Sequence, residues 1–169
     1  FPARKSDAYP QNLSQEGSMC DELKARRDGK ALLDPFTVVR EKNGKLVAVP
    51  LTEAYGPQMK LVAMELRIAA AAQGADEAAL KAYLLAAANG FETGDWAEAD
   101  EAWSRMGSRN SKWYLRVAPD EVEFDPCQEK AGFHVSFARI DATSLSWQDK
   151  LTPLRQEMED SLSALTGGV

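Results

Sequence analysis

Residues 110–141, NSKWYLRVAPDEVEFDPCQEKAGFHVSFARID, carry the clearest structural pattern in the chain. Aromatic and β-branched residues alternate with polar ones in three short runs, at about 112–117, 120–124 and 132–140. Two turn signals, Ala118-Pro119 and Asp125-Pro126, separate the runs. A period of two residues is typical of a strand with one buried and one polar face. We therefore predict three short strands here.

Strand and helix patterns also surround this stretch. FTVVREKNGKLVAVP places two β-rich runs on either side of Asn43-Gly44, which tolerates the positive φ of a two-residue turn. It predicts a hairpin over residues 36–49. Helices are predicted over 15–27 after Ser14, over 52–72, from Asp76 to Asn89-Gly90, from Asp95, over 141–150 as a short turn, and from Thr152-Pro153 onward. This order predicts a mixed α+β fold, with helices packed on a small mixed or antiparallel β-core.

Four apolar stripes at helical spacing mark the faces that we expect the predicted helices to bury. The stripes are Leu61, Met64, Ile68 and Ala72; Leu80, Tyr83, Leu84 and Ala87; Trp96, Ala99, Trp103 and Met106; and Leu154, Met158, Leu162 and Leu165. Residues 1–13 are polar, contain two prolines and predict an extended arm, followed by one domain over 14–169.

Composition limits the function classes. The chain has 169 residues, 44% of them hydrophobic, and a net charge of −6, which argues against nucleic acid or an anionic membrane as the main partner. No run approaches the roughly 18 to 20 apolar residues of a membrane helix, so we expect a soluble protein and favour the cytoplasm over the periplasm. Cys20 and Cys127 fit either one disulfide or two buried thiols, and we favour thiols.

Phe1 opens the chain, and the first dozen residues contain no apolar core of a signal peptide. We therefore expect a mature product or a piece of a longer protein.

Candidate chemistry centres on the one histidine and an acidic cluster. Hydrolytic zinc sites generally need three protein ligands, so His134 alone does not predict a metal site. A histidine on the sheet surface is favoured over a substrate contact. Asp120, Glu121, Glu123 and Asp125 form either an acid/base pair or a solvated edge, and we favour the edge because neighbouring carboxylates on one face repel each other.

Several segments resemble one peptidase family. LLDPFTVVRE, KLVAVPLTEAYG, LKAYLLAAANGFETGDWAEADEAW and above all residues 110–141 look like the bacterial branch of the dipeptidyl-peptidase III family of zinc metallopeptidases. The resemblance covers residues 32–165 and matches the part that precedes the zinc-binding helices. Members carry an HExxGH or HExxxGH motif, which this chain lacks.

What the resemblance implies is a substrate cleft beside a β-core. Family members bind extended peptides along a strand and hold the free amino terminus with acidic and aromatic groups. Carried onto this chain, the candidate substrate-binding residues are Glu121, Glu123, Phe124, His134 and Arg139. Glu121 or Glu123 is the candidate amine-holding residue. Related sequences have an aromatic pair where this chain has Glu123-Phe124, a departure from the family pattern.

Two hypotheses follow. In the first, the chain is the cleft segment of a zinc dipeptidyl peptidase, not catalytic alone, whose partners are a peptide substrate and the zinc-bearing remainder of the same protein. No cofactor is expected in this chain, and zinc is expected only in the full-length enzyme. In the second, the chain is a stand-alone peptide-binding module without catalysis. Neither hypothesis includes nucleic acid or a membrane as a partner.

The last apolar stripe generates the first prediction. If the chain is a segment of a larger enzyme, Leu154, Met158, Leu162 and Leu165 lack the neighbours that the rest of the enzyme supplies. We therefore expect the isolated chain to self-associate through its C-terminal helix. Light scattering at high concentration should give a mass above that of one chain. A clean monomer under these conditions would contradict the prediction.

Overall fold

A computed structural model describes residues 5–121 and 124–167. The fold is α+β, as predicted, and its strands form two separate antiparallel pairs rather than one β-core. The helices are α1 (Met19–Ala25), α2 (Gly29–Leu32), α3 (Leu51–Ala54), α4 (Gly56–Ala71), α5 (Ala78–Thr93), α6 (Ala97–Arg105), α7 (Ala142–Leu151) and α8 (Arg155–Thr166). The strands are β1 (Thr37–Lys42), β2 (Lys45–Pro50), β3 (Trp113–Glu121) and β4 (Ala131–Arg139). None of the described helices is long and apolar enough to cross a membrane.

The first strand pair is the predicted hairpin. β1 and β2 pair antiparallel, with Lys42 opposite Lys45 at the closed end. Asn43 and Gly44 have φ angles of 53° and 71°, the left-handed values that the two-residue turn requires. The hairpin prediction is confirmed.

The second strand pair corrects the prediction of three strands. β3 continues through Ala118-Pro119, and Pro119 lies opposite Phe133 of β4. The predicted turn at Ala118-Pro119 is therefore wrong. The Val117 N–H points away from β4, toward Tyr83, and Pro119 lies two residues farther along in the same orientation. Its missing N–H thus removes no hydrogen bond from the strand pair, which is how a strand tolerates proline.

Helix α5 forms the centre of the core. Its predicted buried face, Leu80, Tyr83, Leu84 and Ala87, is buried. The predicted stop at Asn89-Gly90 is wrong, because α5 continues to Thr93 and ends at Gly94 with φ 81°. Gly90 lies inside the helix where the Trp96 ring packs, and a Cβ there would lie 2.8 Å from Trp96 Cε3, so the packing requires glycine at this position. Trp96 and Ala99 are buried against this core, as their stripe predicts.

Three other predicted helices differ from the structure in their boundaries. The helix predicted over 15–27 is shorter, and the Asp28-Gly29 pair begins α2, with Asp28 as the N-cap and Gly29 as the first helical residue. The predicted helix over 52–72 is divided at Tyr55 into α3 and α4. The final helix begins at Arg155, after a 3₁₀ turn at Thr152–Leu154. Before α1, Tyr9 is buried, and the Val39 N–H donates to the carbonyl of Ala8 on the neighbouring segment.

The stripe predicted to be the buried face of α4 is exposed. Leu61, Met64 and Ile68 expose 60%, 48% and 57% of their surface, whereas the helix buries Met59, Ala63 and Ala70. Small residues on that other face allow α4 to lie close against α5. The apolar stripe of α8 is exposed as well.

A disulfide joins Cys20 and Cys127, so the preference for two thiols is wrong. It connects α1 to the segment between β3 and β4, with a Cα–Cα distance of 5.4 Å across 107 positions of sequence. The sequence could not decide this pairing, because the two residues come together only when the β3–β4 connection packs on α1.

Reduction of the disulfide should lower stability by about 2–5 kcal/mol, since the bond restricts a long loop in the unfolded chain. Denaturant unfolding with and without a dithiol reductant measures the difference. A variant with Cys20→Ser and Cys127→Ser should show the lower stability in both conditions. Equal unfolding midpoints for the oxidised and reduced wild type would contradict the prediction.

Candidate functional site

An acidic cleft lies where β3 ends and β4 begins. It has a volume of about 820 Å³. One wall is the segment at Pro35-Phe36 before β1, and the opposite wall comes from the strand ends and their connection. The lining side chains with a bearing on function are Phe36, Pro119, Asp120, Glu121, Glu129 and Lys130. Its size is within the range of ligand pockets.

Asp125 holds the connection that forms one wall of this cleft. Its carboxylate Oδ2 accepts from the backbone N–H groups of Glu129, at 2.9 Å, and Lys130, at 3.3 Å. The Tyr9 hydroxyl donates to the same oxygen at 3.4 Å. Asp125 is buried and therefore organises the loop rather than facing a ligand. The acidic cluster read from the sequence thus contains at least one structural member.

Lys130 anchors the cleft wall to the segment before β1. Its ammonium donates to the carbonyls of Leu32 at 2.6 Å and Asp34 at 2.8 Å, and to Thr37 Oγ1 at 2.9 Å. Burial lowers the pKa of Lys130 to about 8, so the ammonium is charged at neutral pH. Its three N–H groups are matched by the three acceptors. The positive charge is directed into these acceptors and away from the open cleft.

A charged network occupies the polar face of β3 and β4. Arg116 donates to both carboxylate oxygens of Asp120, at 3.0 and 2.6 Å, and to Asp100 Oδ1 at 2.8 Å. Its guanidinium lies 4.8 Å from the Trp103 ring centre. His134 Nδ1 lies 3.2 Å from Asp120 Oδ2. The Arg116 hydrogen bonds lower the pKa of Asp120 and raise that of Arg116. Asp120 therefore stays ionised near neutral pH and is a weaker base than an unpaired aspartate.

The five candidate residues are not all brought together. Glu121 lines the acidic cleft, and His134 contacts its neighbour Asp120. Glu123 lies outside the described residues. Phe124 is 76% exposed at the start of the connection, and it does not line the cleft. Arg139 lies opposite Trp113 at the far end of β4, roughly 25 Å along the strand from the cleft.

Three cleft residues were missed as site candidates by sequence reasoning. Phe36 was interpreted only as the start of a hairpin, Lys130 only as an available counter-ion, and Glu129 was given no role. Lys130 carried the one usable signal, because a lysine beside strand residues is available as a counter-ion. Nothing local to the sequence indicates that residues 35–36 lie against residues 128–131, since the two segments are far apart in the chain.

The outer edge of β4 is the second feature of the site. Tyr83 contacts the outer edge of β3, and no other strand pairs with β4 in the described part of the chain. Val135 and Phe137, whose backbone groups face away from β3 along that edge, also have exposed side chains. Unpaired edges of this kind accept an additional strand.

Metal binding does not fit the residues present. Across 5–121 and 124–167, no three His, Cys, Asp or Glu side chains come close enough to hold a metal ion. The zinc of the peptidase family therefore has no donor set in this part of the chain.

These features define an α+β segment with an acidic pocket beside a strand edge. Comparison with solved structures identifies the kind of protein in which this fold occurs. A bacterial enzyme described as DPP III from Caldithrix abyssi matches 92% of this chain and 29% of its own length, with 31% identity and a TM-score of 0.76. Dipeptidyl-peptidase III from Corallococcus sp. strain EGB matches 91% of this chain and 28% of its own, with 25% identity and a TM-score of 0.73.

The chain therefore has the fold of a dipeptidyl-peptidase III-like segment, which confirms the resemblance drawn from residues 32–165. It spans less than a third of the length of the two structures that it matches. Neither the scan against family models nor the search of curated proteins gives a match.

The Arg116–Asp120 pair predicts a pH dependence of stability. Arg116 lowers the pKa of Asp120 in the folded protein. The pair therefore contributes its full stabilisation above the pKa of Asp120 in the unfolded chain, about 4, and this stabilisation is lost as the pH falls through the pKa in the folded protein. Asp120→Asn should lower the free energy of unfolding by about 1 kcal/mol at pH 7. Below pH 4 the variant should lose less stability than the wild type does.

Asp149→Asn is the matched control, because Asp149 pairs with the largely exposed Arg109 and should contribute little. Denaturant unfolding from pH 2 to pH 7 measures both variants. If the stability of Asp120→Asn and of the wild type fell identically with pH below pH 4, the predicted contribution of the Arg116–Asp120 pair would be contradicted.

Proposed function

We propose that this chain is the cleft-forming segment of a dipeptidyl-peptidase III-like enzyme that removes dipeptides from peptide N-termini. The observation that carries the proposal is an acidic cleft at a strand end, in a chain whose fold matches a segment of such enzymes over nearly its whole length. The segment binds and orients the peptide. The zinc chemistry belongs to the remainder of the protein, for which this part of the chain holds no ligands.

The charge of the cleft suits a free amino terminus. Three carboxylates line it, from Asp120, Glu121 and Glu129, while the one lysine directs its ammonium into protein acceptors. A cationic α-amino group placed there gains charge-assisted hydrogen bonds. A blocked amino terminus does not, so this cleft distinguishes free from acetylated peptides.

Glu121 is the best candidate to hold the amine. Asp120 is engaged by Arg116, and Glu129 lies 3.3 Å from the Lys24 ammonium. Glu121 has no ion-pair partner among the described residues, so its charge is available to a ligand. This difference separates Glu121 from its two acidic neighbours.

The neighbouring strand supports an extended peptide. Beyond the cleft, the outer edge of β4 presents the backbone groups of residues 133, 135 and 137 away from β3. Strand addition uses such groups for affinity and alternate side chains for selectivity. The partners proposed are thus a peptide and the zinc-bearing remainder of the protein.

The same β4 edge favours a second candidate function. An exposed edge with apolar side chains also suits a stand-alone module that captures an extended peptide without cleaving it. In that case the 169-residue chain should bind the peptide tightly without any further part of a larger protein.

The decisive experiment uses the complete protein encoded by the source reading frame. Its zinc-dependent release of dipeptides from peptides with free amino termini should fall with Glu121→Gln through a KM about 10- to 100-fold higher, the size of a lost charge-assisted hydrogen bond. Glu129→Gln is the control, because Glu129 already pairs with Lys24, and it should change KM less than about threefold.

Acetylated peptides complete the test, since they should be poor substrates of the wild type. Equal cleavage of free and acetylated peptides would refute the amine-binding role of Glu121. Absence of any peptidase activity, with tight peptide binding by the 169-residue chain, would establish the stand-alone module instead.

A further inference from the structure

A second cleft lies on the other side of Phe36. It has a volume of about 440 Å³ and is formed between the β1–β2 hairpin, α3 and the C-terminal end of α5. Its walls are mainly apolar and include Phe36, Ala48, Leu51, Met59 and Trp96. Asp34 is the one ionisable residue in its lining, and its carboxylate accepts from the Phe36 N–H at 2.9 Å. The second cleft therefore suits an uncharged, apolar group.

The apolar cleft and the acidic cleft share one lining residue. Phe36 lines both of them. On the other side, Trp96 of the apolar cleft lies 6.2 Å, between ring centres, from Phe133. Phe133 is the strand partner of Pro119, which lines the acidic cleft. The two clefts are thus neighbouring parts of one surface, divided by an aromatic ring.

Phe36 is held in place although its ring is not buried. Its N–H donates to Asp34 Oδ1, and its carbonyl accepts from the Leu51 N–H at 3.0 Å. The adjacent Pro35 carbonyl accepts from the Ala131 N–H at 3.1 Å. The ring is nevertheless 40% exposed. A large aromatic side chain with a fixed backbone and an exposed ring is what a rigid wall of a binding site requires.

We propose that the apolar cleft binds a hydrophobic side chain of the peptide whose amino terminus lies at Glu121. This inference rests on the proposed function and adds a substrate class: peptides with a large aliphatic residue near the free amino terminus. Charge complementarity places the amine in the acidic cleft, and the shared Phe36 wall places the adjoining apolar cleft within reach of the first side chains.

The test measures binding of two probe peptides to the 169-residue chain. Leu-Leu amide and Ala-Ala amide both carry a free amino terminus and no carboxylate, so they differ only in side-chain size. Isothermal titration gives the dissociation constants. The NMR signal of the Trp96 indole N–H, assigned with Trp96→Phe, reports occupancy of the apolar cleft.

Wild type should bind Leu-Leu amide about tenfold more tightly than Ala-Ala amide, as expected for added apolar surface in a pocket. Phe36→Ala should reduce this preference to less than about threefold, and Phe36→Leu should largely restore it. Leu61→Ala removes an exposed apolar side chain that lines neither cleft and should leave the preference unchanged. Circular dichroism confirms that each variant is folded.

The outcomes separate this inference from the proposed function. A Leu preference that persists in Phe36→Ala, or no preference at all, overturns the apolar-cleft assignment even if acetylation of the probes abolishes binding. Acetylated probes that bind as well as free ones, with a Leu preference that still depends on Phe36, overturn the amine assignment and retain the apolar cleft. No binding of either probe up to about 10 mM, well above the usual range of KM values, refutes both.

Discussion

The Tyr83 hydroxyl joins the helical core to the sheet that forms the cleft. It accepts from the Val117 N–H at 2.8 Å and donates to the Val117 carbonyl at 3.1 Å. Tyr83 is fully buried, and burial raises its pKa, so the hydroxyl keeps the proton that it donates. Buried Glu77 adds a second attachment where β3 begins, accepting from the Ser111 hydroxyl at 2.6 Å and the Lys112 N–H at 3.1 Å. β3 is thereby fixed on α5, and the position of β4 and of the cleft depends on it.

The far end of the same sheet is fixed by different means. The described part of the connection between β3 and β4 is held by the Cys20–Cys127 disulfide, by the Tyr9–Asp125 hydrogen bond and by the Lys130 ammonium. Each attachment reaches a different part of the N-terminal half. The cleft therefore lies between segments that are distant in sequence, and its geometry depends on polar and covalent links as much as on the hydrophobic core.

Exposed apolar surface is the other consistent feature. Ile68 on α4, Phe137 on β4 and Leu162 on α8 are all more than half exposed. Large contiguous apolar patches on a protein surface generally mark an interface. The two dipeptidyl-peptidase III structures continue well beyond the segment that this chain matches.

Local sequence determined the elements whose signals are local. The Asn43-Gly44 turn, the buried face of α5 and the Trp96 stripe follow from backbone preference and periodicity, which neighbouring residues carry by themselves. The resemblance over residues 32–165 was readable for the same reason, and it directed attention to Glu121.

Tertiary structure decided what depends on distant residues. Pro119 is a strand residue only because β3 presents that edge away from β4, and α4 buries Ala63 rather than Leu61 only because α5 lies against that face. Cys20 meets Cys127, and Phe36 separates two clefts, through packing between segments about 100 residues apart. Periodicity names the residues that a helix or strand can bury, but which of them are buried is set by the partner that the fold supplies.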